Sequence, residues 1–577
     1  MAEQAAQSPQ KLSWRFPRTF WFANAAELCE RAAYYGMFVT IWRYLLLIGF
    51  TDVQTGFIQG AFVCILYFLP TFMGILADKI GFKKALMIAF ALLTAGYGLL
   101  GAFQLKWTAL LSLTLIMFGG AIIKPVISGT AAKASDAANR ARAMSIFYMV
   151  VNIGSFTGKS VAGSLNDRFG LRYINFVAAG LTLVALVLVS LFYRDVDREG
   201  VGKTFGEALR GLGRVVVNVR FMCLIIIVGG FWAIQLQLYS TVPTYIERLL
   251  GVGYKPEWLA NVNPLVVVLL VVPITHLVRN LQPASAIGIG LLIVPFTALI
   301  ISSGQFLTRV VGPQLDLGLF SLHPLIVVFI IGIGVQGLAE CFLSPKWLEF
   351  ASKQAPKGEV GLYLGYSHLT SAFSPLFGYI LAGYLLAGYC PDPRTLPEQT
   401  RHQWRAAIDP HYRFNLDPAL ADDLREGLPP PAPLREALAG HGVNVPELET
   451  LRPGQAGSQW KEQSLAAWEL PAEDGVYTLV KTRYRVDTGT SRMSPTQRIR
   501  SFFVSSPADQ RFELLVLADQ PRPPEQMPPL PAEFSRAHYI WYVFTAVGFA
   551  ALGALLAFKV ITEAVDRSRA ARGGAAQ

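Results

Sequence analysis

Arg194-Asp-Val-Asp-Arg198-Glu-Gly-Val-Gly-Lys203-Thr-Phe205-Gly-Glu-Ala-Leu-Arg210-Gly-Leu-Gly-Arg214-Val-Val-Val-Asn-Val-Arg220 is the stretch that divides this chain. It is polar and basic, and apolar segments stand on both sides of it. Six precede it, near 19–48, 53–79, 84–103, 107–133, 141–165 and 173–193. Six follow, near 221–249, 258–279, 284–304, 323–349, 359–388 and 537–562. A hydrocarbon core about 30 Å thick takes roughly 20 apolar residues of helix. Each segment is therefore expected to be a membrane span, giving an all-α polytopic protein of two six-helix bundles.

The composition agrees. Of 577 residues 53% are hydrophobic and only 15% charged, against about one quarter charged in soluble domains, and the mean hydropathy is +0.40. The net charge of +11 does not point to nucleic acid, because the basic residues lie in short clusters between apolar segments rather than along one soluble face. Those clusters set orientation. Lys79 to Lys84, Lys133 to Arg142, 194–220, Arg279, Lys353 to Lys357 and the tail (Lys559, Arg567, Arg569, Arg572) fall on one side, so both termini are expected in the cytoplasm of a multi-pass protein of the cell (inner) membrane. The N-terminus lacks a signal-peptide layout, and the first span is expected to direct insertion. Cys29, Cys64, Cys223 and Cys341 lie in apolar segments and read as small packing residues. Cys390 stands alone, and no metal spacing is present.

The expected organisation is a six-helix bundle over 1–193, a linker over 194–220, spans 7–11 over 221–388, an insert over 389–535, and the last span with its tail over 536–577. The run Phe205 to Val217 is amphipathic and is expected to lie on the inner membrane surface. The insert falls on the outer side. It holds sixteen Lys and Arg against twenty Asp and Glu, a net charge of −4. It has a Pro-rich opening (429–433) and strand-like runs at 476–486, 499–504 and 512–517, so a small domain with β structure is expected. His402, His411 and His441 form no catalytic or metal pattern, and the partner of the insert is not specified.

Charges inside the spans carry the function. Each costs roughly 2.5–3.5 kcal/mol near the bilayer centre. Span 1 reads Glu27-Leu-Cys-Glu30-Arg31-Ala-Ala-Tyr34-Tyr35-Gly36. Helical spacing puts 27, 30, 31, 34 and 38 on one face, which must look at water rather than lipid, and Glu27 can pair with Arg31. Span 4 carries Lys124, followed by Pro125, and span 10 carries Glu340 ahead of Ser344-Pro345. A Lys this deep needs an anionic partner, so a Lys124–Glu340 pair across the two halves is expected, broken when substrate or a proton arrives. Tyr148 and Asn152 stand at i, i+4 on span 5, and Asn263-Pro264 opens span 8. The loop Gly74-Ile-Leu-Ala-Asp78-Lys79-Ile-Gly81-Phe-Lys83-Lys84 allows close helix approach at its glycines. Asp78 there could accept from helix amides or a basic side chain.

Six spans, a linker and six spans is the layout of the major facilitator fold, and that loop resembles the superfamily signature that latches the inner side. More specifically, Glu27-x-x-Glu30-Arg31-x-x-Tyr34-Tyr35-Gly36 resembles the motif of the proton-dependent oligopeptide transporters. So do Ile123-Lys124-Pro125, Phe147-Tyr148-x-x-x-Asn152-x-Gly154-Ser155, Phe231-Trp232-Ala233, Asn263-Pro264, and Glu340-x-x-x-Ser344-Pro345 followed by Ala355-Pro356-Lys357. The resemblance covers about 15–388 and 537–562. It implies proton-coupled symport of di- or tripeptides or peptide-like solutes by alternating access. No cofactor is implied beyond protons as coupling ion, no partners beyond substrate and bilayer, and no enzymatic activity. Glu27, Glu30, Arg31 and Glu340 would couple protons. Arg31 and Lys124 would lie near the substrate carboxylate, Glu340 would hold the amino end, and Tyr34, Tyr67, Tyr148, Asn152, Asn263 and Ser344 would line the pocket. Gly74, Asp78, Lys79, Gly81, Lys83 and Lys84 would gate.

Two departures bear on cargo. Phe38 stands where many members carry Arg, and Leu236 where Glu is common; those two residues usually pair, and losing both avoids an orphaned buried charge. Arg43 lies further out, and Tyr363 stands where Trp is common in span 11. A transporter of another anionic or amphipathic solute is the alternative. A membrane sensor that no longer transports is a third reading, opposed by the retained charges.

Overall fold

The computed structural model describes residues 16–135, 139–195, 204–251, 254–316, 318, 321–354, 363 and 366–397, parts of 400–529, and 530–574. Twelve helical rods run through the described residues. Spans 1 to 6 are Arg18–Phe38, Asp52–Phe68 continued by Pro70–Ile80, Phe82–Ala102, Lys106–Lys133, Arg140–Phe169 and Leu171–Phe192. The linker helix Phe205–Val217 follows. Spans 7 to 12 are Val219–Gln235 continued by Thr241–Leu250, Val262–Leu277, Pro283–Ser302 continued by Gly304–Val311, Pro324–Lys353, Leu369–Tyr389 and Tyr539–Gly574. Nine of these are long and apolar enough to cross a membrane, and span 2 makes ten when its bent halves are joined. Spans 1 and 5 fall short of the apolar criterion. They carry Glu27, Glu30 and Arg31, and Asn152, Lys159 and Asn166, so their polarity marks an inward-facing role rather than a different location. Elsewhere the outer faces are apolar. Val187 of span 6 is 47% exposed and Val272 of span 8 is 73% exposed, as a lipid-facing surface requires.

Within the first half, span 1 packs on spans 5 and 6, and span 3 on spans 4 and 6; in the second half, spans 9 and 10, 9 and 12, 8 and 10, and 7 and 11 pair. Spans 2 and 11 join the halves. A Cβ at Gly60 would lie 3.2 Å from Leu376 Cα and one at Gly383 2.7 Å from the Asp52 carbonyl oxygen. Only glycine permits that backbone approach.

The turn between spans 2 and 3 is made by Gly81 at φ +94°, a left-handed conformation that favours glycine. Asp78 and Lys79 are exposed here. The start of span 3 is capped by Asp195 from the end of span 6: Asp195 Oδ1 accepts from the Lys83 amide at 2.7 Å, where the helix dipole favours an anion. Gly74 brings span 2 against Pro125 of span 4, where a Cβ at Gly74 would lie 3.4 Å from the Pro125 Cβ.

The linker helix starts with a full capping box, Thr204 with Glu207. It buries Ala208, Gly211 and Val215. Its opposite side leaves Phe205, Leu209 and Val217 exposed beside Arg210 and Arg214, the amphipathic pattern of an interfacial helix. Tyr366 of span 11 donates to the Ala208 carbonyl at 2.8 Å.

A second compact unit comprises Pro391–Ser535 together with Glu247–Tyr254. Its sheet has four antiparallel strands in the order β3-β6-β5-β4, numbered after a two-residue ribbon of β1 (Leu315–Asp316) and β2 (Ser321–Leu322). The strands are β3 (Arg413–Asn415), β4 (Ser464–Ala472), β5 (Gly475–Arg485) and β6 (Gln510–Ala518). The expected runs at 476–486 and 512–517 are β5 and β6, paired through Tyr477 with Ala518 and Arg485 with Gln510. β4 was not expected, since Ala466, Ala467 and Pro471 give it little strand preference. The Pro-rich opening leads into a helix, Pro431–Gly440, with Pro431 at its start. The run 499–504, residues 355–357 and the three histidines at 402, 411 and 441 lie outside the described residues. Within this unit Trp404 Nε1 donates to the Arg248 carbonyl at 2.9 Å, which ties the segment after span 7 into the domain.

Candidate substrate cavity and charge clusters

Span 1 places its charges as helical spacing requires. Arg31 Nε lies 3.2 Å from Glu27 Oε1 and also pairs with Glu30. All three side chains are nearly buried, at 7%, 4% and 1% exposure. One guanidinium therefore faces two carboxylates. Glu27 Oε2 and Glu30 Oε1 have no hydrogen-bond partner among the described residues, so each carboxylate has an open oxygen for a proton. Lys124 of span 4 is within electrostatic reach of this cluster. Its Nζ sits 3.5 Å from the centroid of the Tyr67 ring, a cation–π contact.

Glu340 is held differently. Its Oε2 accepts from Gln235 Nε2 at 2.7 Å and from Asn263 Nδ2 at 3.3 Å. Both donors are neutral amides. No ion pair joins Lys124 to Glu340 among the described residues; the expected bridge between the halves is not formed in this conformation. The physical reason is that each group has found another partner, a ring face for Lys124 and two amides for Glu340.

Between these clusters lies a cavity of about 390 Å³, the size of a small-solute site. Tyr34, Tyr67, Tyr148, Asn152, Asn263, Glu340 and Ser344, all read from the sequence as pocket residues, line it. Arg31 and Lys124 do not. Arg31 stands behind Tyr34, its guanidinium 5.3 Å from that ring. Phe38 and Leu236 both line the cavity. Phe38 stacks on Tyr34 at 5.1 Å and leans on Tyr239 at 5.4 Å, so the two departures put an apolar wall where a charge pair would stand. Trp347, Leu348 and His368 line it toward the linker ends of spans 10 and 11.

The sequence reading missed Tyr35, Lys159, Gln235 and Tyr239, which also line the cavity. Lys159 was legible: 148, 152, 155 and 159 advance by four, three and four along span 5, one helix face. Gln235 and Tyr239 had no such signal, because the helix tightens into a short 3-10 turn over Leu236–Tyr239, and the 3.6-residue period fails there.

Next to Lys159 of the cavity wall, span 5 and Arg43 just beyond span 1 meet the start of span 8. Arg43 Nη2 lies 2.5 Å from Glu257 Oε1, with both side chains buried, and Asn166 Nδ2 donates to the same oxygen at 3.1 Å. Trp258 Nε1 donates to the Ser160 carbonyl at 3.1 Å, and Asn261 Nδ2 to Ser160 Oγ at 3.0 Å.

Known proteins are similar to this chain. Residues 21–315 match the Major Facilitator Superfamily. The chain belongs to that superfamily. Among curated relatives, the dipeptide and tripeptide permease A of Citrobacter koseri is 24% identical over 64% of this chain and 84% of its own length. The multidrug resistance protein MdtH of Aeromonas hydrophila is 24% identical over 53% of this chain and 72% of its own. Among solved structures, a peptide transporter POT in complex with sulfate has a TM-score of 0.54 at 20% identity, covering 66% of this chain and 91% of that one. A POT family transporter in complex with 5-aminolevulinic acid has a TM-score of 0.54 at 19% identity, covering 66% and 92%. The resemblance seen in the motifs is thus matched by relatives, and this facilitator is a multi-pass membrane transporter rather than an enzyme.

Proposed function

We propose that this facilitator is a proton-coupled symporter for di- and tripeptides or peptide-like solutes, working by alternating access. It sits in the cell (inner) membrane with both termini cytoplasmic and residues 389–535 outside. The observation that carries the reading is the state of Glu340: a half-buried carboxylate in the cavity wall whose hydrogen-bond partners among the described residues are neutral amides. A substrate ammonium gives a charge-assisted bond, roughly twice as strong as a neutral one, and would displace Gln235 or Asn263. Coupling follows from the other half. Protonating Glu27 or Glu30 at its open oxygen removes one of the two anions that hold Arg31, and the change in charge biases the equilibrium between conformations. The names of the relatives support a peptide-like cargo, since one is a dipeptide and tripeptide permease and one structure holds 5-aminolevulinic acid.

A second reading, carriage of another anionic or amphipathic solute, is favoured by the apolar wall of Phe38 and Leu236 and by the multidrug resistance relative. Uptake of labelled dipeptides into proteoliposomes under an inward proton gradient tests the first. Accumulation that collapses with a protonophore is expected. Absence of gradient-driven uptake across a varied peptide panel, with uptake of non-peptide solutes, would transfer the assignment to the second.

A further inference from the structure

Lys159 is a buried cation that the mechanism above does not use. It lies on the cavity-facing side of span 5, with its Nζ 5.7 Å from the ring centroids of both Tyr35 and Tyr239. Its hydrogen bond crosses to the other half, to the Ala260 carbonyl at 3.0 Å. An ammonium has three protons to donate. No carboxylate pairs with Lys159 among the described residues, although it is 0% exposed. A buried charge without a counter-ion is costly, and this one borders a solute cavity.

The other cations near the cavity are already engaged. Arg31 faces Glu27 and Glu30, Arg43 pairs with Glu257, and Lys124 lies over Tyr67 within reach of the Glu30 charge. Phe38 supplies no charge on the wall that it shares with Tyr239. Resting on the peptide-like cargo proposed above, we infer that Lys159 is the residue that receives the substrate's carboxylate, with Glu340 taking the ammonium on the facing half.

The burial of Lys159 adds a direction. A carboxylate reaches Nζ only when span 5 and the start of span 8 separate. When the seam closes, the Ala260 carbonyl takes the ammonium back and the carboxylate is released toward the linker end of the cavity. Binding and seam closure therefore compete for one ammonium.

The test compares a dipeptide with its C-terminal amide, as competitors of labelled dipeptide uptake by the full-length protein in proteoliposomes. The wild type is expected to prefer the free acid by about 10- to 100-fold. Lys159→Gln keeps a donor for the Ala260 carbonyl and removes the charge; it should bring acid and amide to parity, and Lys159→Arg should restore the preference. Preference retained in Lys159→Gln, or lost in Lys124→Gln while Lys159→Gln keeps it, overturns the inference and leaves the peptide reading standing. A Lys159→Gln protein inactive toward acid and amide alike is resolved by thermal shift with the same two ligands: parity in the shifts supports the inference, an acid preference overturns it. No uptake of any peptide by the wild type overturns both.

Discussion

The two halves of this facilitator meet along two seams of opposite chemistry. Spans 2 and 11 touch backbone to backbone at Gly56, Gly60 and Gly383, with no side chain between them. Span 5, together with Arg43 just beyond span 1, meets the start of span 8 through side chains, the Arg43–Glu257 pair, Asn166, Ser160, Asn261 and Lys159. Close backbone packing gains dispersion only at contact distance and loses it within an ångström, so the glycine seam has one good geometry. Polar groups that part can be rehydrated, since their bonds to water nearly replace those lost. The polar seam is thus the one built to open, and the glycine seam the one built to keep its geometry. Both ends of a transport cycle need this asymmetry: something must separate while something else keeps the halves in register.

The largest effect is expected at Glu257. Glu257→Ala breaks the buried Arg43–Glu257 pair from one side, a loss of about 3–5 kcal/mol for the closed seam. Labelling of a cysteine placed at Ser160 should rise steeply in that variant. Replacing both partners, Arg43→Met with Glu257→Leu, should return labelling near to its original level, because the cost belongs to breaking the pair from one side. If the double variant labels as strongly as the single one, the ion pair is not what closes the seam. Gly56→Ala comes next. A Cβ there runs into the Tyr379 carbonyl oxygen and comes within 3.2 Å of its carbon. Forcing such an overlap costs about 1–3 kcal/mol. Thermal stability should fall without a rise in labelling at the polar seam. A variant that labels like Glu257→Ala but melts normally would show that both seams open together.

Legibility in the sequence divides along the same line. Apolar runs and basic loops marked the helical rods, ten of which are apolar enough to cross a membrane because lipid imposes one demand on them, while spans 1 and 5 depart from it with polar residues. Intramembrane charges marked Glu27, Glu30, Arg31, Lys124 and Glu340, because each breaks that demand. The partners of those charges were not legible. Gln235 and Asn263 around Glu340, and Glu257 across from Arg43, are set by which helices come together, and the i, i+4 rule does not reach across the molecule. Asp195 at the start of span 3 was hidden for the same reason: it stands 112 residues from Lys83 in sequence, and only tertiary packing brings it there.

Ser160→Ala is expected to have the smallest effect and makes the finest test of the comparison. The substitution removes the hydroxyl that accepts from Asn261 Nδ2. A single neutral hydrogen bond contributes about 0.5–1.5 kcal/mol, well below the ion pair. Two contacts that hold the same stretch survive, because they end on backbone carbonyls: Trp258 Nε1 on Ser160 and Lys159 Nζ on Ala260. Seam labelling, read from a cysteine at Ser164 one turn further along span 5, should therefore rise only slightly above a background carrying that cysteine alone. Were Ser160→Ala to open the seam as far as Glu257→Ala does, the charge pair would not dominate. The seam would then be a cooperative network in which each bond depends on the rest, and its opening would be all-or-none instead of graded by the loss of individual contacts.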